Sequence, residues 1–327
     1  MVVRKIVDDT RLLVKCCLLY YRENLGQQEI CDILGVSRPT VSRLLKQGRE
    51  QGIVKIEVHD PFAPEFGETE RKLEERFGLQ EVIVVEDRPI EIESEHVSAL
   101  LAVTALAYLD RVLKDGDTVG VTLGFTLHNI ARADYVVDKV VHCRFVPVLG
   151  GVGETYLELH ANWLAAEFAK RFRAEYIPFY APAVFADAGV LRGFKKEPSI
   201  KRIFALFTNL NAVIMSIGVP QGDYSTVLKM QYIDDPILRD FSARGAVGDI
   251  GLQYFDINGE SEQFASHNER VAGMTLADIR KVPRRIAVVA GSDKVEAVIG
   301  AIRGGYINTL ITDASCAEGL LACRKDT

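Results

Sequence analysis

The chain contains no run of about 18 uncharged apolar residues, the length a helix needs to cross a bilayer, so no membrane span is expected. Its opening residues, MVVRKIVDDTRLL, carry acids where a secretory leader needs an apolar run. The six cysteines (16, 17, 31, 143, 316 and 323) include no CxxC pair and no Cys/His metal spacing. Reduced thiols, no metal site and a cytoplasmic location are the expectation. Internal repeats and low-complexity tracts are missing. So is the general basic excess of a protein that coats nucleic acid, because the net charge is −6.

What is present is a core-forming composition, 48% hydrophobic over 327 residues, a length that suits two domains. The charge is unevenly spread. Residues 1–60 hold 10 Lys/Arg against 8 Asp/Glu, and the remainder holds 29 against 37. Within 35–55, Arg38, Arg43, Lys46, Arg49 and Lys55 face only Glu50. That local patch coincides with GQQEICDILGVSRPTVSRLLKQGREQGIVKI (26–56), which reads as helix, tight turn, helix and short strand. A helix over about 9–24 precedes it, with Asp8 and Asp9 at the start, where the helix dipole favours acids.

In 27–34 the apolar positions Ile30, Ile33 and Leu34 form the expected buried face. Gly35-Val36 makes the turn. Ser37 is an N-cap candidate, and Pro39 fits the first turn because its missing N–H costs little there. The second helix is expected to run to about residue 51, burying Val41, Leu44 and Leu45. Residues 53–56 are expected to begin a wing strand. Two helices joined this way place the second in a DNA major groove. Ser37, Arg38, Thr40, Ser42, Arg43 and Lys46 then face outward as candidate DNA contacts. Arginine suits guanine edges or phosphate, and hydroxyls suit either.

After a short linker (61–64), residues 65–77 read as a charged amphipathic helix. Phe66 and Leu73 stand seven apart and could seed a pairing seam or pack on the helix's own domain. From residue 79, strands and helices alternate, with strands expected at 82–85, 118–122, 140–148, 174–178, 212–218, 285–290 and 309–312. Intervening helices are expected at 94–113, 124–131, 155–172 and 295–303. This is an α/β pattern, a Rossmann-like parallel sheet with helices on both faces. The expected division is 1–60 for DNA binding, 61–78 as a linker helix, and 79–327 for effector binding and oligomerisation.

Ligands of such sheets bind beyond the strands' C-terminal ends. Four loops are placed for that. GVTLGFTL (120–127) follows a strand and opens a helix, with Thr122 and Thr126 as hydroxyl donors beside Gly124, and a helix start attracts anions. LGGVGE (149–154) brings Gly150 and Gly151. GAVGD offers Asp249 for sugar hydroxyls, and AGSDK offers Lys294 for phosphate. Together they point to a phosphorylated small molecule. No His sits beside a Ser or Cys in a nucleophile motif, so no catalytic residue is assigned and no cofactor is implied.

The 20–58 stretch, together with GVTLGFTL, LGGVGE, GAVGDI, AGSDK and LITDASCAEGLL in that order, closely resembles the SorC/DeoR-type bacterial transcriptional regulators with a sugar-binding domain. The resemblance covers nearly the whole chain. It implies an effector domain similar to the glucosamine-6-phosphate deaminase and ribose-5-phosphate isomerase fold, used for sensing without catalysis. It also implies a homo-oligomer (dimer or tetramer) on operator DNA, with a sugar, polyol or sugar phosphate as inducer. Thr122, Gly124 and Thr126 would fall in the first phosphate loop and Gly150 and Gly151 in the second. Asp249 would meet hydroxyls, Lys294 would meet phosphate, and Asn162 would line the pocket. One departure is visible: family members often carry Trp and Arg in the first loop, where this chain has Leu123 and Phe125. The competing reading is a sugar-phosphate isomerase or deaminase carrying a DNA-binding domain. A ligand-free architectural DNA binder is a third.

Overall fold

The computed structural model describes residues 2–54, 66–86, 99–151, 155–220 and 226–323. The chain divides into two compact units, Met1–Ala63 and Pro64–Thr327.

In the first unit, α1 (Val2–Tyr21), α2 (Gln27–Leu34) and α3 (Arg38–Glu50) enclose a small core of Leu13, Cys16, Cys17, Leu19, Ile30, Cys31, Val41, Leu44 and Leu45. The Glu29 carboxylate accepts from the Gly26 N–H at 2.7 Å, anchoring the start of α2. Gly35 ends α2 at φ 65°, and a side chain there would meet nothing within 4 Å. Its left-handed backbone, not crowding, therefore calls for glycine and sets the turn into α3.

The second unit opens with α4 (Gly67–Phe77), followed by β1 (Glu81–Val85), α5 (Ala99–Val112), β2 (Thr118–Val121), α6 (Phe125–Arg132) and β3 (Arg144–Pro147). Next come α7 (Ala161–Phe172), β4 (Glu175–Tyr176), α8 (Ala188–Phe194), α9 (Pro198–Phe207), β5 (Ala212–Met215), α10 (Thr226–Lys229) and α11 (Asp235–Ala243). The remainder is β6 (Ala246–Ile250), β7 (Gln253–Asp256), α12 (Ala265–Asn268), α13 (Leu276–Ile279), β8 (Arg284–Val289), α14 (Val295–Arg303), β9 (Thr309–Asp313) and α15 (Ala314–Ala322).

Seven strands form one parallel sheet in the order β1-β9-β8-β5-β2-β3-β4. Successive residues of β5 alternate faces: Val213 and Met215 join one core, Ala212 and Ile214 the other. Helices α5, α6 and α7 cover the second face, with Leu106, Leu127, Phe145 and Phe168 fully buried between. Burial on both faces explains why the strands read as near-continuous apolar runs. From β2 the chain steps outward through β3 to β4, then returns to β5 on the other side of β2 and continues to β8 and β9. The β2–β5 junction is therefore the switch point, where a crevice opens at the C-terminal edge.

Several expectations are corrected. Helix α1 begins at Val2, so Asp8 and Asp9 lie within it rather than at its start. Ile33 is 53% exposed, because Cys31 completes the buried stripe with Ile30 and Leu34 falls between them. Ile53 and Val54 form a bend, not a strand, and the rest of the expected wing and the linker lie outside the described residues. Leu73 is wholly buried in its own unit, which settles α4 as a helix packed on its domain rather than a pairing seam. The 140–148 strand starts only at Arg144, and the 155–172 helix breaks at His160, with a short 3-10 turn (Leu157–Leu159) before α7. Residues 94–98 and 152–154 lie outside the described residues. Residues 245–256, read as a loop-bearing run, form the antiparallel ribbon β6–β7.

Candidate functional site

On α3 the outward positions fall as expected. Ser42, Arg43 and Lys46 are exposed, as are Ser37 and Arg38, while Thr40 is half-buried. Ser37 occupies the N-cap position with extended backbone, yet its Oγ lies 2.9 Å from Thr40 Oγ1 and caps no backbone N–H. Lys46 pairs with Glu50 at 3.7 Å across one helical turn, a weak exposed pair. Buried Val41, Leu44 and Leu45 hold the opposite side of α3 on α1 and α2, which leaves the basic face to solvent.

In the second unit the four loops converge at the C-terminal edge. After β2, Thr122 is buried, and its N–H donates to Ile214 O across the switch point. Ser216, just past β5, donates its hydroxyl to Leu123 O at 2.9 Å. Gly124 (φ 119°) precedes α6, and a side chain there would lie 3.2 Å from Ser216 Oγ. Thr126 lies half-buried in the first turn of α6.

In the second loop, Gly150 is a packing residue: its N–H donates to Ala272 O, and a Cβ would strike the Ala181 and Pro182 carbonyls. Gly151 instead lies against a polar pair. A Cβ on it would come within 2.8 Å of both His160 Nδ1 and Tyr232 Oη. Tyr232 Oη and His160 Nδ1 are 2.6 Å apart, and His160 Nε2 lies 3.2 Å from Thr155 O. A carbonyl only accepts, so Nε2 carries the proton and Nδ1 accepts from the tyrosine. Burial raises the Tyr232 phenol above its ordinary range, which keeps it a donor. Sequence reasoning missed this pair, because Tyr232 stands 72 residues from His160.

Asp249 does not follow a parallel strand, as expected, but lies within β6. It reaches the site because its backbone bridges Gly218, beyond the end of β5, through two 3.0 Å hydrogen bonds. The ribbon turns at Gly251 and Leu252, both at positive φ, as a two-residue hairpin demands. Leucine is costly there, and its neighbours hold it: Leu252 N–H donates to Asp249 Oδ2 at 3.0 Å, and Leu252 O sits 3.0 Å from His267 Nε2. Burial pushes the Asp249 carboxyl up to about 6, opposed by the Leu252 N–H and by Lys294. Lys294, at the end of the loop after β8, is lowered by burial, with Asp293 and Asp249 pulling the other way. Asp249 and Lys294 are therefore close enough to influence each other. The Lys294 loop is pinned to the end of β9, where Asp313 Oδ2 accepts from the Gly291 N–H at 2.8 Å.

Asn162, expected to line the pocket, is tied to the protein itself. Its amide donates to Phe179 O and accepts from the Phe179 N–H and the Tyr176 hydroxyl, fixing α7 to the segment after β4. Helix α10 lies across the first loop, with Lys229 Nζ 4.8 Å from the centre of the Phe125 ring. Phe125 also meets Tyr156 edge-on at 6.4 Å. Lys229 and Tyr156 had no signal in sequence, and Phe125 stood out only as a departure from the family's first loop. A cleft lined by Arg132, Trp163, Glu167, Lys170 and Arg171 lies at the opposite end of α6, away from the loops. Among the described residues, no group of three or more His, Cys, Asp or Glu could hold a metal ion, and no helix is long and apolar enough to cross a membrane.

Comparison with known proteins meets this geometry. A sugar-binding-domain family model matches residues 65–322, and a Crp-like helix-turn-helix model matches 19–62. The chain is 31% identical over 321 residues to the sorbitol operon regulator of Klebsiella pneumoniae, covering 96% of this chain and 98% of the relative. It is 32% identical over 316 residues to the deoxyribonucleoside regulator of Bacillus subtilis (strain 168), with the same coverages. The crystal structure of full-length SorC from Klebsiella pneumoniae superposes with a TM-score of 0.71 at 30% identity, covering 96% of this chain and 99% of that one.

Proposed function

This chain belongs to the SorC/DeoR-type family of sugar-binding transcriptional regulators, and from that premise we propose which signal it reads and where. It is a DNA-binding regulator with a sugar-binding domain and, like its relatives, not an enzyme. The effector is a small sugar or polyol carrying a phosphate. It lies at the switch point between β2 and β5, against Thr122, Gly124, Thr126, Gly151, Asp249 and Lys294. The observation that carries this reading is the placement of Asp249. A carboxyl buried to 6% exposure is held by backbone bridges to Gly218 beyond the end of β5, and the half-buried Lys294 follows β8, the neighbouring strand. Burying such a pair costs stability, and a hydroxylated ligand would recover it by hydrogen bonding to both. Ser37, Arg38, Thr40, Ser42, Arg43 and Lys46 contact the operator, as a homo-oligomer of two or four copies in the cytoplasm. The relatives' names, sorbitol operon and deoxyribonucleoside regulators, support a catabolic operon as the target.

A thermal-shift screen of sugars, polyols and their phosphates tests the reading, because a ligand of the native state alone must raise the melting temperature. The expected hit also changes operator affinity. A complete panel without a hit would leave a ligand-free DNA binder, and turnover of a hit would restore the enzyme reading.

A further inference from the structure

Resting on that effector site, we propose that Tyr232, held by His160, accepts a hydrogen bond from a hydroxyl of the effector beside the second glycine loop. The place of Tyr232 is set by how α10 ends. Gln231 takes left-handed backbone at φ 56°, and the Tyr232 N–H reaches back to Val227 O at 3.0 Å. Such a bond closes a helix and reverses the chain. Met230 and Ile233, both buried, root the turn in the core on either side. The Tyr232 ring then meets the start of α7, edge-on to the His160 imidazole with 5.6 Å between centres. Both glycine loops close on the same point. Gly124 of the first donates its N–H to Leu159 O at 3.1 Å, one residue before His160. Gly151 of the second has Tyr232 Oη and His160 Nδ1 in front of its Cα, in space that any side chain would take.

The hydrogen bonds decide what this pair can read. With Nε2 donating to Thr155 O and Nδ1 bare, the Tyr232 proton is committed to His160 at 2.6 Å. The phenolic oxygen keeps its lone pairs and has no second proton to give. Tyr232 is half-buried, so a ligand can touch it, whereas His160 is buried. An acceptor of this kind matches a hydroxyl and repels the oxygens of a phosphate. No cation offsets that preference within the loop, since no Lys or Arg stands between Phe145 and Ala169. Strand order sets the reach. Gly151 follows β3, and Asp249 is bridged to Gly218 beyond β5, with β2 between. Two strand spacings, roughly 10 Å, separate them. An extended sugar or polyol with a hydrogen bond at each end spans that distance, its phosphate toward Lys294.

Calorimetric titration of the full chain tests this. Ribose 5-phosphate, glucose 6-phosphate, sorbitol 6-phosphate and their unphosphorylated parents are the first panel. The tightest binder is then compared with its single-deoxy and single-deoxyfluoro analogues, because fluorine cannot donate a hydrogen bond. With wild type, one deoxy analogue should bind at least tenfold more weakly than the complete compound, and the deoxyfluoro analogue at that carbon should bind no better. This comparison uses wild type alone, so a folding defect in a variant cannot hide the answer. Tyr232→Phe should weaken the complete compound at least tenfold and leave that deoxy analogue within twofold of its wild-type affinity. His160→Asn, whose Oδ1 still accepts from Tyr232, should keep the discrimination, and His160→Leu should lose it. The assignment is overturned if the deoxyfluoro analogue binds as well as the complete compound, if Tyr232→Phe weakens every analogue by the same factor or none, or if His160→Leu discriminates as wild type does. A panel in which nothing binds wild type refutes the sugar-effector reading, and the assignment of Tyr232 falls with it.

Discussion

Asp249 and His267 meet on one strained turn, and their ionisation pulls stability in opposite directions. Burial lowers the His267 imidazole to about 4, so the folded chain resists its protonation. The unfolded chain binds that proton from about pH 6.5 downward, so acidification from 6.5 toward 4 removes stability. Asp249 is raised to about 6, so between the ordinary carboxylate range and 6 the folded chain holds more protons, and its contribution falls as pH rises. Asp249→Asn removes that second effect, since an amide oxygen still accepts from Leu252. The variant should be more stable than wild type at pH 8, by on the order of 3 kcal/mol, with the gap roughly halved at pH 5. It should also lose the effector response. Melting curves at the two pH values decide it, and equal gaps would mean that Asp249 ionises freely. Arg43, exposed on α3, is expected to contact the operator, so Arg43→Ala should weaken binding by about 1–3 kcal/mol with an unchanged circular dichroism spectrum. Unaltered affinity would strike Arg43 from the interface.

Helix α4 shows what an element does beyond its amphipathic pattern. β1 lies at the edge of the sheet, and the outward N–H groups of Val82 and Val84 donate to Glu74 and Glu70 carboxylates at 2.9 and 2.8 Å. Arg76 donates to the carbonyls of Leu321 and Cys323, tying the same helix to the end of α15. The edge is thereby closed to pairing with another chain. Replacing Glu70 and Glu74 by Ala should lower stability by about 1–3 kcal/mol for each amide left unpaired. Hydrogen exchange at Val82 and Val84 should quicken, while Glu75→Ala, on the exposed side, should change neither. Undisturbed exchange in the double variant would show that the carboxylates are dispensable. The helix was legible in sequence from its charged repeat. Its partners were not, because they lie 8 and 14 residues away on a strand whose edge position depends on the whole sheet order.

At the scale of the molecule, the basic face is small. Arg38, Arg43, Lys46 and Arg49 are the cations of α3, and Lys46 already faces Glu50. If every one of the four displaced a counterion, a single copy would show a salt slope no steeper than about −4. An operator complex of two or four copies should exceed that. Fluorescence anisotropy between 50 and 200 mM salt, together with stoichiometry, measures it. A slope near −3 with one chain per operator would exclude the oligomeric reading.

Periodicity and punctuation alone determined the helix-turn-helix, the order of parallel strands and helices, and the four loops that open after or beside strands. Those features depend on neighbours a few residues apart, where Gly35, Pro39 and alternating apolar residues act directly on the backbone. Tertiary structure alone decided what shares the site. Strand order set β2 beside β5, a hairpin carried Asp249 to Gly218, and α10 laid Lys229 on Phe125. Each of these contacts joins segments about 30 to 100 residues apart, and their proximity follows from how the sheet closes rather than from any local preference of the chain.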